Sequence, residues 1–107
     1  MITATLEQWR LLAAVVDHGG FAQAAAQLQK SQSTVSHGVK QLQEALGLPL
    51  LTLAGRKAVL TPAGETLLRR ARYLLEEAAA LQHLADTLAR GWAPRVTLSV
   101  DAIFPQE

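Results

Sequence analysis

Between residues 5 and 47 the apolar positions fall into three blocks, each with the roughly 3.6-residue spacing of an amphipathic helix. Leu6, Trp9, Leu12, Ala13 and Val16 form the apolar face of the first. Thr5 is placed to cap it, and Gln8, three residues on, completes a capping box. Gly19 and Gly20 end it, because glycine accepts the left-handed conformation common just past a helix. Phe21, Ala24, Ala25 and Leu28 mark a second, alanine-rich helix whose small side chains allow close packing. Ser31 is a favourable N-cap for the third and Gly47 its terminator. Val35, Val39, Leu42 and Leu46 supply the buried side of that helix.

The other side of the third helix carries the candidate chemistry. Gln32, Ser33, Ser36, His37 and Lys40 are rich in donors and almost free of negative charge. A helix anchored by its back and presenting these groups near its N-terminus suits a DNA major groove. Gln32 can pair bidentately with an adenine edge, while Ser33 and Ser36 can reach bases or phosphates. The bland reading is that polar helix residues simply face water; the two short helices joined by a tight turn weigh against it. His37 could bond a phosphate or a guanine, or simply be exposed. Gly38, inside the helix, is expected to cost about 1 kcal/mol relative to alanine. Either it lets the helix lie deeper in the groove or it is merely tolerated.

Further along, Leu50 to Leu53 and Ala58 to Leu60 are short apolar segments flanking Ala54-Gly55-Arg56-Lys57, a small hairpin with a basic tip. Arg56 and Lys57 are its candidate phosphate contacts. Thr61 and Pro62 then signal a new helix: a capping hydroxyl followed by proline at the first helical position. That helix is expected to run to about Arg90. Leu67, Leu74, Leu81 and Leu88 repeat every seven residues, with Ala71, Ala78 and Ala85 midway between them. A leucine–alanine seam lets two helices approach closely, so the spacing predicts a pairing helix. The competing reading is packing of this seam onto residues 1–60. A second stripe, Leu68, Tyr73, Leu75 and Leu84, could pack onto the N-terminal helices or widen the interface. Gly91 and Pro94 end the helix, and Val96 to Val100 alternates like a single strand.

Composition narrows the field. One domain plus an appended element fits 107 residues, and half of them are apolar, enough for a core. No apolar run reaches the ~18–20 residues of a membrane span, and no signal-peptide pattern opens the chain. The absence of cysteine excludes disulfides and thiolate metal sites and fits a reducing cytoplasm. His18, His37 and His83 lie on separate helices, so no metal ligand set is expected. Net charge is only +1, but residues 1–62 hold five basic groups against three acids, and residues 63–107 hold five against six. The balance points to an N-terminal nucleic-acid module. No Gly-rich phosphate loop and no Ser/His/Asp or paired-carboxylate arrangement is present, so an enzyme is not expected and no cofactor is implied. Glu76 and Glu77 most simply solvate the long helix.

In order and spacing, the opening helix with Leu6, then FAQAAAQL, SQSTVSHGVKQLQEALGLPLL and GRKAVLTPAG resemble LysR-type transcriptional regulators. The long helix is similar to the family's linker helix, and RVTLSV to the first strand of its effector-binding domain. The resemblance implies a mainly α fold: a winged helix-turn-helix of three helices and a short β-hairpin wing, followed by a long dimerisation helix. It implies a DNA-binding domain over 1–61, a linker helix over 62–90, and over 91–107 a hinge and the start of an effector domain that is otherwise absent.

The implied function is sequence-specific double-stranded DNA binding by a bacterial cytoplasmic regulator. It acts as a homodimer on a pseudo-palindromic operator, the full-length protein forming tetramers in some cases. A small-molecule effector would bind only in the absent domain. Base-reading positions carried over from the family are Gln32, Ser33, Ser36 and His37, with Lys40, Ser31 and Thr34 beside them; wing contacts are Arg56 and Lys57, with Thr61 close to the backbone. The dimer seam is Leu67, Ala71, Leu74, Ala78, Leu81, Ala85 and Leu88. The family commonly has proline at Ser33 and arginine at His37 and near Leu53, so affinity or preference is expected to differ here. Leu51 stands for a common phenylalanine. The competing function is a dimeric helical scaffold with a vestigial DNA face, which salt-dependent binding to palindromic against scrambled duplexes would separate.

Overall fold

The computed structural model describes residues 3–91. Its elements are α1 (Leu6–His18), α2 (Phe21–Leu28), α3 (Gln32–Leu46), β1 (Leu51–Ala54), β2 (Lys57–Leu60) and α4 (Pro62–Gly91). The expected strand at 96–100, and with it the hinge assigned to 91–107 beyond Gly91, lies outside the described residues.

Local chemistry explains most boundaries. Thr5 Oγ1 accepts the Gln8 N–H and Gln8 Oε1 accepts the Thr5 N–H, both at 3.1 Å, closing the capping box. Gly19, at φ 88°, ends α1 in the left-handed region. Ser31 Oγ accepts the Thr34 N–H at 3.1 Å to start α3, and Gly47 at φ 74° ends it. The turn between α2 and α3 is less expected. Gln29 takes φ 57°, where a side chain is strained by roughly 1–2 kcal/mol. The backbone N–H of Lys30 donating to the Ala25 carbonyl at 2.9 Å helps hold it there.

The chain divides into two compact units, one running through Leu75 and one from Glu76 onward. In the first, α1, α2 and α3 pack on one another, and β2 touches α1. Leu12, Val15, Val35, Val39, Leu42, Leu50 and Leu68 are fully buried. Each contributes on the order of 1.5–3 kcal/mol. Because they come from α1, α3, the segment before β1, and α4, one core ties all of these together.

Two expectations about α1 and α3 need correcting. Leu6, expected on the apolar face, is exposed, whereas Leu11 to Val15 are all buried. Helix α1 lies at the centre, with α2, α3 and β2 against it, so more than one stripe is covered. Gly38 faces inward, where a Cβ would collide with the Leu11 side chain. Its smallness seats α3 on α1.

Charged pairs lie outside the core. Arg72 makes a bidentate pair with Asp17, at 2.8 and 3.1 Å, joining the first part of α4 to the end of α1. Glu7 pairs with Arg10 at 2.9 Å and with Lys30 at 3.6 Å. The Arg10 hydrogen bond, aided by the Lys30 charge, holds the Glu7 carboxyl below the usual carboxylate range. A folded-state value below the unfolded one stabilises at neutral pH, and that contribution fades as pH falls through it. Half-exposed pairs of this kind are weak. Glu7→Gln is therefore expected to cost less than about 1 kcal/mol at pH 7. In urea unfolding followed across pH, the difference should vanish at acid pH; a gap that persists there would contradict the pairing.

Candidate nucleic-acid interface

The N-terminal half of α3 presents Gln32, Ser33, Ser36, His37 and Lys40 to solvent, while Val35, Gly38, Val39 and Leu42 are buried behind them. Thus the helix is fixed by its back and free along its front, as the hydrophobic spacing predicts. Ser31 and Thr34 differ from the rest. Their hydroxyl oxygens lie 2.7 Å apart, and Ser31 Oγ also receives the Thr34 amide and sits 3.2 Å from Ser33 Oγ. Capping is their first task, which leaves them secondary as ligand contacts.

Beside this face an open recess of about 660 Å³ is lined by Glu7, Lys30, Ser33, Thr34 and His37, among others. Lys30 was not singled out in the sequence, yet it precedes the α3 cap directly and adds a cation next to Ser33 and His37. The signal for it was a lysine at the helix-turn-helix turn.

Strands β1 and β2 pair antiparallel, Leu51 opposite Leu60 through Ala54 opposite Lys57. Ala54 and Lys57 therefore belong to the strands, and the tip narrows to Gly55 and Arg56, with Gly55 at φ 67°. Arg56, Lys57 and Leu53 are exposed. Thr61 is a different case. Its hydroxyl donates to the Pro49 carbonyl at 2.8 Å and accepts the Gly64 N–H at 2.9 Å. With its one hydrogen committed inside the fold, Thr61 cannot donate to a phosphate and is dropped from the contact set. Two residues that position this region were missed: Gln43, which holds the segment before the wing, and Gly64, which lies against it. A polar residue four positions after Val39 on the apolar stripe, and a glycine inside a helix's first turn, were the available signals.

Residues 6–65, more than half the chain, match the profile of the bacterial regulatory helix-turn-helix proteins of the lysR family. The chain belongs to the LysR family. A probable HTH-type transcriptional regulator of Escherichia coli K12, YhaJ, is 38% identical over 101 residues, which is 94% of this chain and 34% of that protein. Oxidised OxyR of Corynebacterium glutamicum superposes with a TM-score of 0.74 at 33% identity, covering 78% of this chain and 27% of that one. The BenM DNA-binding domain, solved in complex with catB site 1 DNA, gives a TM-score of 0.72 at 30% identity, covering 81% and 94%. This LysR chain thus spans about a third of the length of YhaJ. Its three helices, hairpin and long following helix form the winged helix-turn-helix and linker helix of such regulators.

The proposed dimer seam of this LysR chain divides in two. Ala71 is only 3% exposed and Leu67 is half-buried against the same core. Ala71 is therefore corrected from seam to core, with Leu67 beside it: over these turns the heptad positions border the stripe of Gly64, Leu68 and Ala71 that closes the domain. The second stripe, which could pack on the N-terminal helices or widen the interface, divides as well: Leu68 and Leu75 meet the core while Tyr73 and Leu84 are exposed. Leu74, Leu81 and Leu88 remain exposed, as does Ala85, and Ala78 is half-exposed. Among the described residues no three His, Asp or Glu side chains group as a metal site, and no helix is long and apolar enough to cross a membrane.

Proposed function

We propose that this chain binds double-stranded DNA in a sequence-specific manner as the DNA-binding part of a cytoplasmic LysR-type transcriptional regulator. The observation that carries this reading is the third helix: buried along one side, free on the other, and offering Gln32, Ser33, Ser36, His37 and Lys40 together. In this reading Gln32 and Ser36 read base edges, Ser33 and His37 reach bases or phosphates, and Lys40 with Lys30 attracts the backbone. Arg56 and Lys57 meet phosphates beside the groove, and Arg56 at the turn is the residue suited to the minor groove.

Leu74, Ala78, Leu81, Ala85 and Leu88 form the pairing surface of a homodimer. Two copies then hold two recognition helices near one DNA turn apart, about 34 Å, on a pseudo-palindromic site. Residues 1–61 supply the DNA contacts and 62–90 the linker. Residues 91–107 lead into an effector-binding domain, where a small molecule and any tetramer contact are placed. We assign no catalytic role.

Gln32→Ala tests the base-reading assignment. A good bidentate base contact discriminates by about 1–3 kcal/mol, so the variant should lose roughly that much preference at one position of each half-site. Competition among singly base-substituted duplexes measures it. Unchanged relative affinities across the set would remove Gln32 from the reading face.

A further inference from the structure

The segment between α3 and the wing is held to α3 by one side chain. Gln43 Oε1 accepts the backbone N–H of Leu50 at 2.8 Å and that of Leu51 at 3.1 Å. An amide oxygen has two lone pairs, which match two successive N–H groups. Leu51 opens β1, and Leu50 just before it is completely buried. From the opposite side, the Thr61 N–H donates to the Leu50 carbonyl at 2.9 Å and the Thr61 hydroxyl to the Pro49 carbonyl. Both backbone polar groups of Leu50 are thereby satisfied, one by α3 and one by the residue that caps α4. The wing is a sheet of only two strands, too few to be stable alone. Its direction depends on how its base is clamped.

We infer that Gln43 is a positioning residue for DNA binding, setting the wing's Arg56 and Lys57 relative to the recognition helix. This rests on the proposed contact between wing and phosphate. Gln43 is half-buried on α3 two helical turns beyond Ser36, roughly 10 Å farther along the axis, and acts through the backbone it holds. Gln43→Ala leaves the buried Leu50 N–H without its acceptor, and that segment must shift to regain one. The wing moves with it while the N-terminal half of α3 stays on the core. Binding should then lose the wing's phosphate contacts and keep its base preference. Gln43→Glu places a carboxylate at the same reach, able to accept the same two N–H groups.

The test follows log affinity against log salt for the 107-residue chain on one duplex selected by that chain from a random pool. The parent is compared with Gln43→Ala, Gln43→Glu, the Arg56→Ala/Lys57→Ala double variant and the triple variant with Gln43→Ala. The double variant should flatten the slope by up to ~0.9 per lost phosphate contact. Gln43→Ala should flatten it equally, Gln43→Glu should restore the parent slope, and the triple variant should match the double. Relative affinities for base-substituted duplexes should not change with Gln43→Ala. A flattened slope in the double variant with the parent slope in Gln43→Ala overturns the inference and leaves the wing contact standing. Loss of base preference in Gln43→Ala, or no rescue by glutamate, also overturns it, since general loss of structure would give that. A parent slope in the double variant removes the wing contact itself, and Gln43's role with it.

Discussion

Gly64→Ala is expected to destabilise the chain by about 3 kcal/mol, at the upper end of what overpacking costs. A Cβ there would collide with the backbone carbonyl oxygen of Leu50 and stand 3.0 Å from Leu60 Cδ2. The carbonyl has nowhere to go. It accepts the Thr61 N–H, its residue is fully buried, and its amide is tied to Gln43. Alanine's better helix propensity, about 1 kcal/mol, opposes the loss without cancelling it. Gly91→Ala is the control, because nothing stands near the Cβ position there. Urea unfolding gives both numbers. A Gly64→Ala chain as stable as its parent would mean that the junction of wing and α4 is loose.

Leu81→Arg with Leu88→Arg is expected to abolish pairing and to weaken binding to a two-half-site duplex by about 10²–10⁴-fold, the usual scale of avidity. Both leucines are exposed, so the first unit should fold unchanged. Arginines placed inside a seam between two antiparallel copies would be desolvated without an opposite charge. Sedimentation equilibrium should show the parent as a dimer and the variant as a monomer, with circular dichroism unchanged. A parent that sediments as a monomer at high micromolar concentration, or a variant that still pairs, would end the seam proposal. Affinity for a single half-site should be nearly the same in both.

Features that depend on near neighbours were legible in the sequence. The Thr5–Gln8 box, the Ser31 cap, the Gly47 stop and the Thr61–Pro62 start each involve residues within about one turn. The exposed front of α3 followed from the spacing of Val35, Val39 and Leu42 in the same way. What escaped was non-local. Gly38 and Gly64 are explained by Leu11 and Leu50, which no local pattern pairs with them. Gln43 finds its donors seven and eight residues away, across a turn. The burial of Leu11 and Ala14 reflects a central helix covered on several sides, which a one-stripe reading does not anticipate. Ala71 shows the remaining ambiguity: over two turns a heptad seam and a domain-packing stripe nearly coincide, and only the packing decides between them.

Selection of bound duplexes from a random pool, at near-physiological salt, tests the central proposal most directly. Paired recognition helices predict enrichment of an inverted repeat whose half-sites are centred about 10–10.5 base pairs apart, or a multiple of that. No enrichment over the starting pool, or a lone half-site without a symmetric partner, would contradict it.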